Sequence, residues 1–472
     1  MTKKTNYRWT VCLLLFFATA NNYLDRQILS LTWKDFIAPE FHWTDWHYGW
    51  IAGSFSLVYA IGMLFAGSFV DKLGTKRGFT IAMIIWTIAS CMHALGGVVT
   101  RLFTGIESAE AMIALNCTQT IGAVVSVSMI FMVFCRVALA IGEAANFPAS
   151  IKATAEYFPK KDRALATAIF NAGATIGALI SPLTIPLIAK HMGWEWAFII
   201  GGGVGFLWLA FWIPKYKDNP ATNPKVNAAE LAYIQQDQDE TPVNPEKPQK
   251  NLSLLECFKF KQTWAFAFGK FMTDGVWWFF LLWMPAYISD VYGFRSSDTM
   301  GQMAIVVMYA IVMVSIFTGG LLPQYFMNKG MNPYAGRMRA MLIFAAFPLL
   351  TLLAQPLGET SMWLPVIIIG IAGAAHQSWS ANLFSTVSDM IPKTAVATVV
   401  GVGGMAGGIG SFLLQPSAGK LFTYAEQTNL VFMGFSGKPA GYFIIFCFCA
   451  VAYLIGWSVI KALVPRYKPI TN

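Results

Sequence analysis

Seven titratable side chains stand inside long apolar runs, where no water solvates them: Asp25, Arg26, Arg136, Glu143, Lys270, Asp274 and His376. A charged side chain at a bilayer centre costs about 2.5–3.5 kcal/mol on insertion scales, so such groups need partners and mark function by default. Asp25 and Arg26 close the polar stretch Asn21-Asn22-Tyr23-Leu24-Asp25-Arg26. Arg136 and Glu143 are seven residues apart, two turns along nearly one helix face. Lys270 and Asp274 stand at i and i+4, where they can face each other. Asp25 and Glu143 are the candidates to carry protons. Burial disfavours a carboxylate's charge and a nearby Arg favours it, so a moving partner can load and unload a proton. Arg26 suits an anionic substrate, because a guanidinium stays charged and gives a carboxylate two parallel hydrogen bonds. A plainer alternative stays open for all of them, as static ion pairs holding helices together. Lys270 and Asp274 would then neutralise only each other, and His376 would be a packing residue. The remaining histidines, His42, His47, His93 and His191, lie at loops or span ends and are assigned nothing.

The elements that must position these groups follow from composition. Of 472 residues, 56% are hydrophobic and only 12% charged, about half the charge of a soluble protein. The expectation is an all-α integral membrane protein. With about 20 apolar residues per crossing, spans fall near 9–31, 46–70, 78–98, 121–147, 164–190 and 194–214. A second set falls near 262–288, 301–327, 336–356, 361–385, 395–421 and 438–464. The chain thus reads as twelve transmembrane helices in two six-helix halves, 1–214 and 262–472. Between them lies a solvated linker, 215–261, rich in Lys, Asp, Asn, Gln and Pro. Within it Asn227-Ala-Ala-Glu230 predicts a capping box opening a short helix to about Asp239.

Basic residues set the orientation. With both termini cytoplasmic, 24 of the 33 Lys and Arg fall on the inner side and six on the outer, among them Lys34 and Lys438. Lys3, Lys4 and Arg8 before an apolar run, with Ala18-Thr19-Ala20 after it, imitate a secretory signal. Cleavage is rejected, because the polar residues just beyond have a better use. The halves echo one another. Ala166-Thr167, Gly173 and Gly177 recur 231 residues later as Ala397-Thr398, Gly404 and Gly408, and Glu156 and Pro159 recur 233 later as Asp389 and Pro392. Such repeats put a substrate path between halves near the midplane. Five of the seven Cys sit inside apolar runs and read as small buried hydrophobes; no metal or redox spacing appears, so no cofactor is expected. The net charge of +9 serves orientation, not nucleic-acid binding.

After the second span comes Gly67-Ser-Phe-Val-Asp71-Lys72-Leu-Gly74-Thr-Lys76-Arg77, which resembles the loop signature of the major facilitator superfamily. The resemblance implies a cytoplasmic latch for Gly67, Asp71, Lys72, Gly74 and Arg77 during alternating access. A positive-inside anchor is the alternative. The equivalent site in the second half is degenerate, with Gln324 where the Asp would be. Asn22-Tyr23-Leu24-Asp25-Arg26 and Arg136-Val-Ala-Leu-Ala-Ile-Gly-Glu143-Ala-Ala-Asn146-Phe147-Pro148 resemble the anion:cation symporter family, which includes bacterial sugar-acid importers and vesicular glutamate transporters. That resemblance implies protons on Asp25 and Glu143 and a substrate carboxylate on Arg26. Tyr59 and Asn382 match polar contact positions of the sugar-acid members. Asn171 and Gln377 are lining candidates by polarity and placement only.

The stretch from Lys270 through Thr273, Asp274, Trp277, Trp278 and Trp283 to Pro285 is similar to the seventh span of the hexuronate branch. It offers a cation for a carboxylate, polar groups for hydroxyls and aromatic faces for a sugar's C–H surface. Gly275 departs from that branch, and 101–120 has no counterpart; it reads as an outer loop or a re-entrant piece. The expectation is a proton-coupled symporter of the bacterial inner membrane, monomeric, importing hexuronates such as glucuronate and galacturonate. Lys270 and His376 would join Arg26, Tyr59, Asn171, Gln377 and Asn382 at the substrate, with Arg136 and Asp274 as structural partners. Rival readings are another organic acid (aldonate, aldarate or aromatic carboxylate), a transporter-like sugar-acid sensor, and an intramembrane enzyme. For the last, no nucleophile beside a base and no metal cluster appears.

Overall fold

A computed structural model of the chain describes residues 5–236, 254–391 and 395–468. Lys3, Lys4, Asp239 and Pro392, singled out above, lie outside them. Helices fall on all twelve apolar stretches. In the first half they are Tyr7–Thr32, Asp45–Leu73, Thr75–Met92, Thr118–Glu143, Lys160–Met192 and Trp194–Lys215. In the second they are Lys261–Tyr292, the divided pair Thr299–Val312 and Ser315–Asn328, then Pro333–Ala346, Trp363–Met390, Val396–Thr428 and Lys438–Leu463. Nine helical stretches among the described residues are long and apolar enough to cross a membrane. The first, seventh and eighth spans do not reach that standard. The first is diluted by Asn21, Asn22, Asp25 and Arg26, the seventh by Lys270, Asp274 and its Trp and Tyr residues, and the eighth is broken.

Irregular turns have local causes. The first span runs on through a π-helical turn, Trp33–Ile37, into Ala38–Phe41. The fourth breaks directly after Glu143 and resumes as Asn146–Tyr157. Pro148 has no N–H to offer the Ala144 carbonyl, so the α-helical ladder cannot run through. Residues 101–120 are largely helical and do not form a plain loop. The third span extends through Gly96–Thr104, and a short helix, Ala109–Ile113, capped by Ser108, leads to the fourth. Its Met112 carbonyl accepts from His42 Nε2 at 2.8 Å.

The chain divides into two compact units, 1–29 with 61–98 and 134–249, and 30–60 with 99–133 and 250–472. In the first unit, Gly173 and Gly177 of the fifth span let it approach the first span's backbone. A Cβ on either would collide with the carbonyls of Phe16 and Ala20. The eleventh span meets the seventh in the same manner through Gly403, Gly407 and Gly410, which face Phe266, Asp274 and the Phe271 carbonyl. The close approach thus recurs one residue before the matched pair Gly404 and Gly408; Gly408 instead faces Ser56 and Ala60 of the second span. Gly177→Val is expected to lower stability by about 1–3 kcal/mol through overpacking. A thermal melt in detergent checks it.

Half of the predicted capping box is present: the Asn227 side chain accepts from Glu230 N at 2.9 Å and opens Ala228–Gln235, but the Asn227 N–H donates to Thr5 Oγ1 and the Glu230 carboxylate turns to Thr5, Tyr7 and Arg8 instead. Burial pushes the Glu230 carboxyl up. Hydrogen bonds from the Thr5 hydroxyl, the Arg8 and Tyr7 amides and the Arg8 guanidinium outweigh it and hold the group below its ordinary value. A depressed carboxylate stabilises docking fully above its unfolded value, about 4.3, and loses that contribution as pH falls through the folded value. Glu230→Gln should therefore remove hydrogen-exchange protection from 228–235 at pH 7, as acidification below about pH 4 should in the parent.

Candidate functional site

The first unit gathers Asp25, Arg26, Arg136 and Glu143. Arg26 Nε donates to Glu143 Oε2 at 2.6 Å, with both side chains almost fully buried. The guanidinium also lies 5.3 Å from the Tyr23 ring centroid, a cation–π distance. Glu143 Oε1 is buried without a hydrogen-bond partner among the described residues. Asp25 sits in a different setting, held by uncharged donors. Trp86 Nε1 reaches Oδ2 at 2.6 Å, Asn21 Nδ2 reaches the same oxygen at 3.2 Å, and Ser90 Oγ reaches Oδ1 at 3.1 Å. Arg136 is near enough to act electrostatically on both carboxylates. Asn171 of the fifth span is exposed.

Sequence reasoning missed Trp86 and Ser90. A signal existed: a buried indole needs an acceptor, and Ser90 is one turn from Trp86 on the same face. Gly201 of the sixth span completes the wall, since a Cβ there would come within 3.0 Å of Asp25 Oδ1.

The second unit gathers Lys270, Asp274, His376, Asn382 and Tyr59. Lys270 Nζ pairs with Asp274 Oδ2 at 2.8 Å, donates to Ser380 Oγ at 3.4 Å and lies 4.7 Å from the Phe384 ring centroid. Asp274 Oδ1 has no hydrogen-bond partner among the described residues. The buried His376 ring stacks on Trp277, centroids 5.4 Å apart, and its Nδ1 shares a 2.8 Å hydrogen bond with the Tyr453 hydroxyl. Asn382 Nδ2 donates to the carbonyls of Gly319 and Ser378, each at 2.8 Å, so its amide hydrogens tie the tenth span to the eighth. Tyr59 stacks on Phe55 and leans toward Trp278. Gln377 is half-buried. Ser380, Phe384 and Tyr453 were not foreseen.

In the loop motif, Asp71 Oδ1 pairs with Lys152 Nζ at 2.8 Å. Gly74 takes φ +83° at the head of the third span, where an L side chain would be strained. The next residues are held from the fourth and sixth spans: Lys76 N donates to Asp218, and Thr75 Oγ1 and Tyr216 donate to Glu156. Lys72 and Arg77 are exposed, and Gly67 has open space around it. The counterpart of the Glu156–Thr75 contact is an ion pair between Asp389 and Arg337, at the corresponding ends of the tenth and ninth spans. The acid-bearing end of the repeat is thus conserved within the molecule although Gln324 has lost the motif's acid.

The family model described as Major Facilitator Superfamily matches residues 15–414. The chain belongs to the Major Facilitator Superfamily. It is therefore a multi-pass membrane transporter and not an enzyme. It is 27% identical to the hexuronate transporter of Escherichia coli (strain K12) over 466 residues, 98% of this chain and 96% of that one. With the probable galactarate/D-glucarate transporter of the same strain it shares 26% over 452 residues, 93% and 94% of the two chains. Among solved structures, an inward-facing, unoccupied bacterial homologue of the human lysosomal transporter Spinster superposes with TM-score 0.68. That match covers 99% of this chain and 100% of the other at 17% identity, which speaks to fold.

Proposed function

We propose that this superfamily member is a proton-coupled symporter importing hexuronates across a bacterial inner membrane, with both termini cytoplasmic. The Arg26–Glu143 contact carries the reading. A guanidinium whose charge one carboxylate already balances attracts a second carboxylate only weakly. Protonating Glu143 removes the charge that holds Arg26, and the substrate's carboxylate takes its place. The Glu143 carboxylate and the substrate anion thus compete for one cation and protonation decides between them, with Asp25 as the second proton carrier and Arg136 as the shared counter-charge of the two acids. Lys270 is proposed as the second cation at the substrate, with Tyr59, Asn171, His376, Gln377 and Asn382 as polar lining. The loop from Gly67 through Asp71, Lys72 and Gly74 to Arg77 is proposed as the cytoplasmic latch. Similarity to a hexuronate transporter supports the substrate class. Similarity to a galactarate/D-glucarate transporter supports aldarates as the second reading. No cofactor takes part, and the unit is proposed to work as a monomer.

The test is uptake of labelled glucuronate into proteoliposomes with and without an inward proton gradient. Accumulation above the outside concentration only with the gradient supports both parts. Gradient-driven uptake of galactarate without glucuronate would move the reading to aldarates, and failure of both would remove the sugar-acid assignment.

A further inference from the structure

At the end of the helices opposite the termini, four charges of the second unit close a ring that the site chemistry does not use. Lys34 Nζ lies 3.2 Å from Asp45 Oδ1 and 2.7 Å from Asp290 Oδ1. Lys438 Nζ lies 2.9 Å from Asp45 Oδ2 and 3.3 Å from Asp290 Oδ1. Each side chain is at most one-fifth exposed. Tyr442 donates to Asp290 Oδ2 at 2.9 Å, and Glu426 adds a third acid to Lys438 at 3.1 Å.

An aromatic cluster joins the same helices. Trp33 stacks on Tyr48 at 4.1 Å, and both meet Trp283 edge-on, at 5.9 and 5.0 Å. The π-helical turn engages three consecutive residues here. Trp33 joins the aromatics, Lys34 the ring, and Asp35 accepts from Ser296 N and Oγ, each at 2.7 Å. Such turns recur at functional sites.

We propose that Lys34, Asp45, Asp290 and Lys438 form a partner-exchange latch that holds this face shut in the present conformation. Lys34 and Asp45 belong to the first two spans, Asp290 and Lys438 to the seventh and twelfth. Parting these spans breaks two pairs, Lys34–Asp290 and Lys438–Asp45. The other two, Lys34–Asp45 and Lys438–Asp290, remain within their own half. No charge is stranded in either state, so the penalty that makes a broken buried pair costly does not arise. Two arrangements of similar free energy are what a two-state element requires. The ring's diagonals, Lys34 with Lys438 and Asp45 with Asp290, repel when shut and further limit the hold. The inference rests on a transporter that opens to both sides, not on the substrate reading.

Ser411 is the reporter. It is fully buried, and its hydroxyl donates to Ser56 Oγ at 3.0 Å, one helical turn from Gln415, which holds Trp283. In full-length protein carrying Ser411→Cys and Cys117→Ser, a membrane-impermeant maleimide is applied to the face opposite the termini. Lys34→Gln with Asp45→Asn removes both bridging pairs, leaves Lys438 and Asp290 paired within their own half and should speed labelling about tenfold, a typical coupling magnitude. Lys34→Asp with Asp290→Lys keeps both bridging pairs, turns the diagonals attractive and makes both within-half pairs repulsive. It should slow labelling by a similar factor. Unchanged rates in both variants, or a shift of both in one direction as from general loosening, would overturn the latch.

Discussion

Glu143→Gln should abolish accumulation driven by a proton gradient and leave exchange of internal for external substrate intact. The amide has the shape of the protonated acid and cannot ionise, so Arg26 loses the counter-charge now 2.6 Å away. Each pH unit is worth 1.36 kcal/mol per proton, about tenfold in accumulation. With one proton per anion and two pH units, the parent would reach up to about 100-fold, whereas the variant would only equalise concentrations. Labelled-substrate uptake and counterflow in the same vesicles measure both quantities. Intact gradient-driven accumulation would remove Glu143 from the coupling. Arg26→Lys retains charge and loses the fork; a charged hydrogen bond contributes about 1.5–3 kcal/mol, so affinity should fall at least about tenfold.

The second large effect is Lys270→Ala. Removing one partner of a buried pair leaves Asp274 uncompensated, at a cost of about 3–5 kcal/mol, and one Asp274 oxygen already has no hydrogen-bond partner among the described residues. Melting temperature and uptake should both fall. The double change Lys270→Ala with Asp274→Ala removes both charges and should recover most of the stability. If Lys270 meets the substrate carboxylate, uptake stays lost in the double variant. Recovery of uptake with stability would mark the pair as structural only.

The twelve apolar stretches, the linker cap at Asn227 and the partnering of Lys270 with Asp274 were legible because each is local, set by run length, one cap or one helical turn. Arg26 and Glu143 were legible as buried charges in need of partners but not as each other's partner, since Arg26 reads toward a substrate carboxylate, Glu143 stands beside Arg136 along the chain, and the contact joins residues 117 apart. Trp86 and Ser90 were not. An indole and a hydroxyl in an apolar span carry no charge to explain, and only packing reveals which face meets Asp25. The ring at Lys34 was hidden for the opposite reason. Lys34 and Lys438 read as ordinary charges near span ends, and no pattern along the chain says that Asp45 and Asp290 meet them. The repeat was visible, but its register shifts by one residue between sequence match and helix contact, because Gly-rich helices offer several neighbouring faces for close approach.

The compact units do not follow the midpoint of the chain: 30–60 and 99–133 group with 250–472. This bears on chimaeras. Grafting 262–472 from a relative onto this protein's 1–261 would set a foreign partner against Lys34, Asp35 and Tyr48, whose contacts lie on Asp290, Ser296 and Leu282. A functional hybrid should need 30–60 transplanted with the donor's second half. In breeding such hybrids, the inherited block is defined by who touches whom at one end of the helices, and the linker is the wrong place to cut.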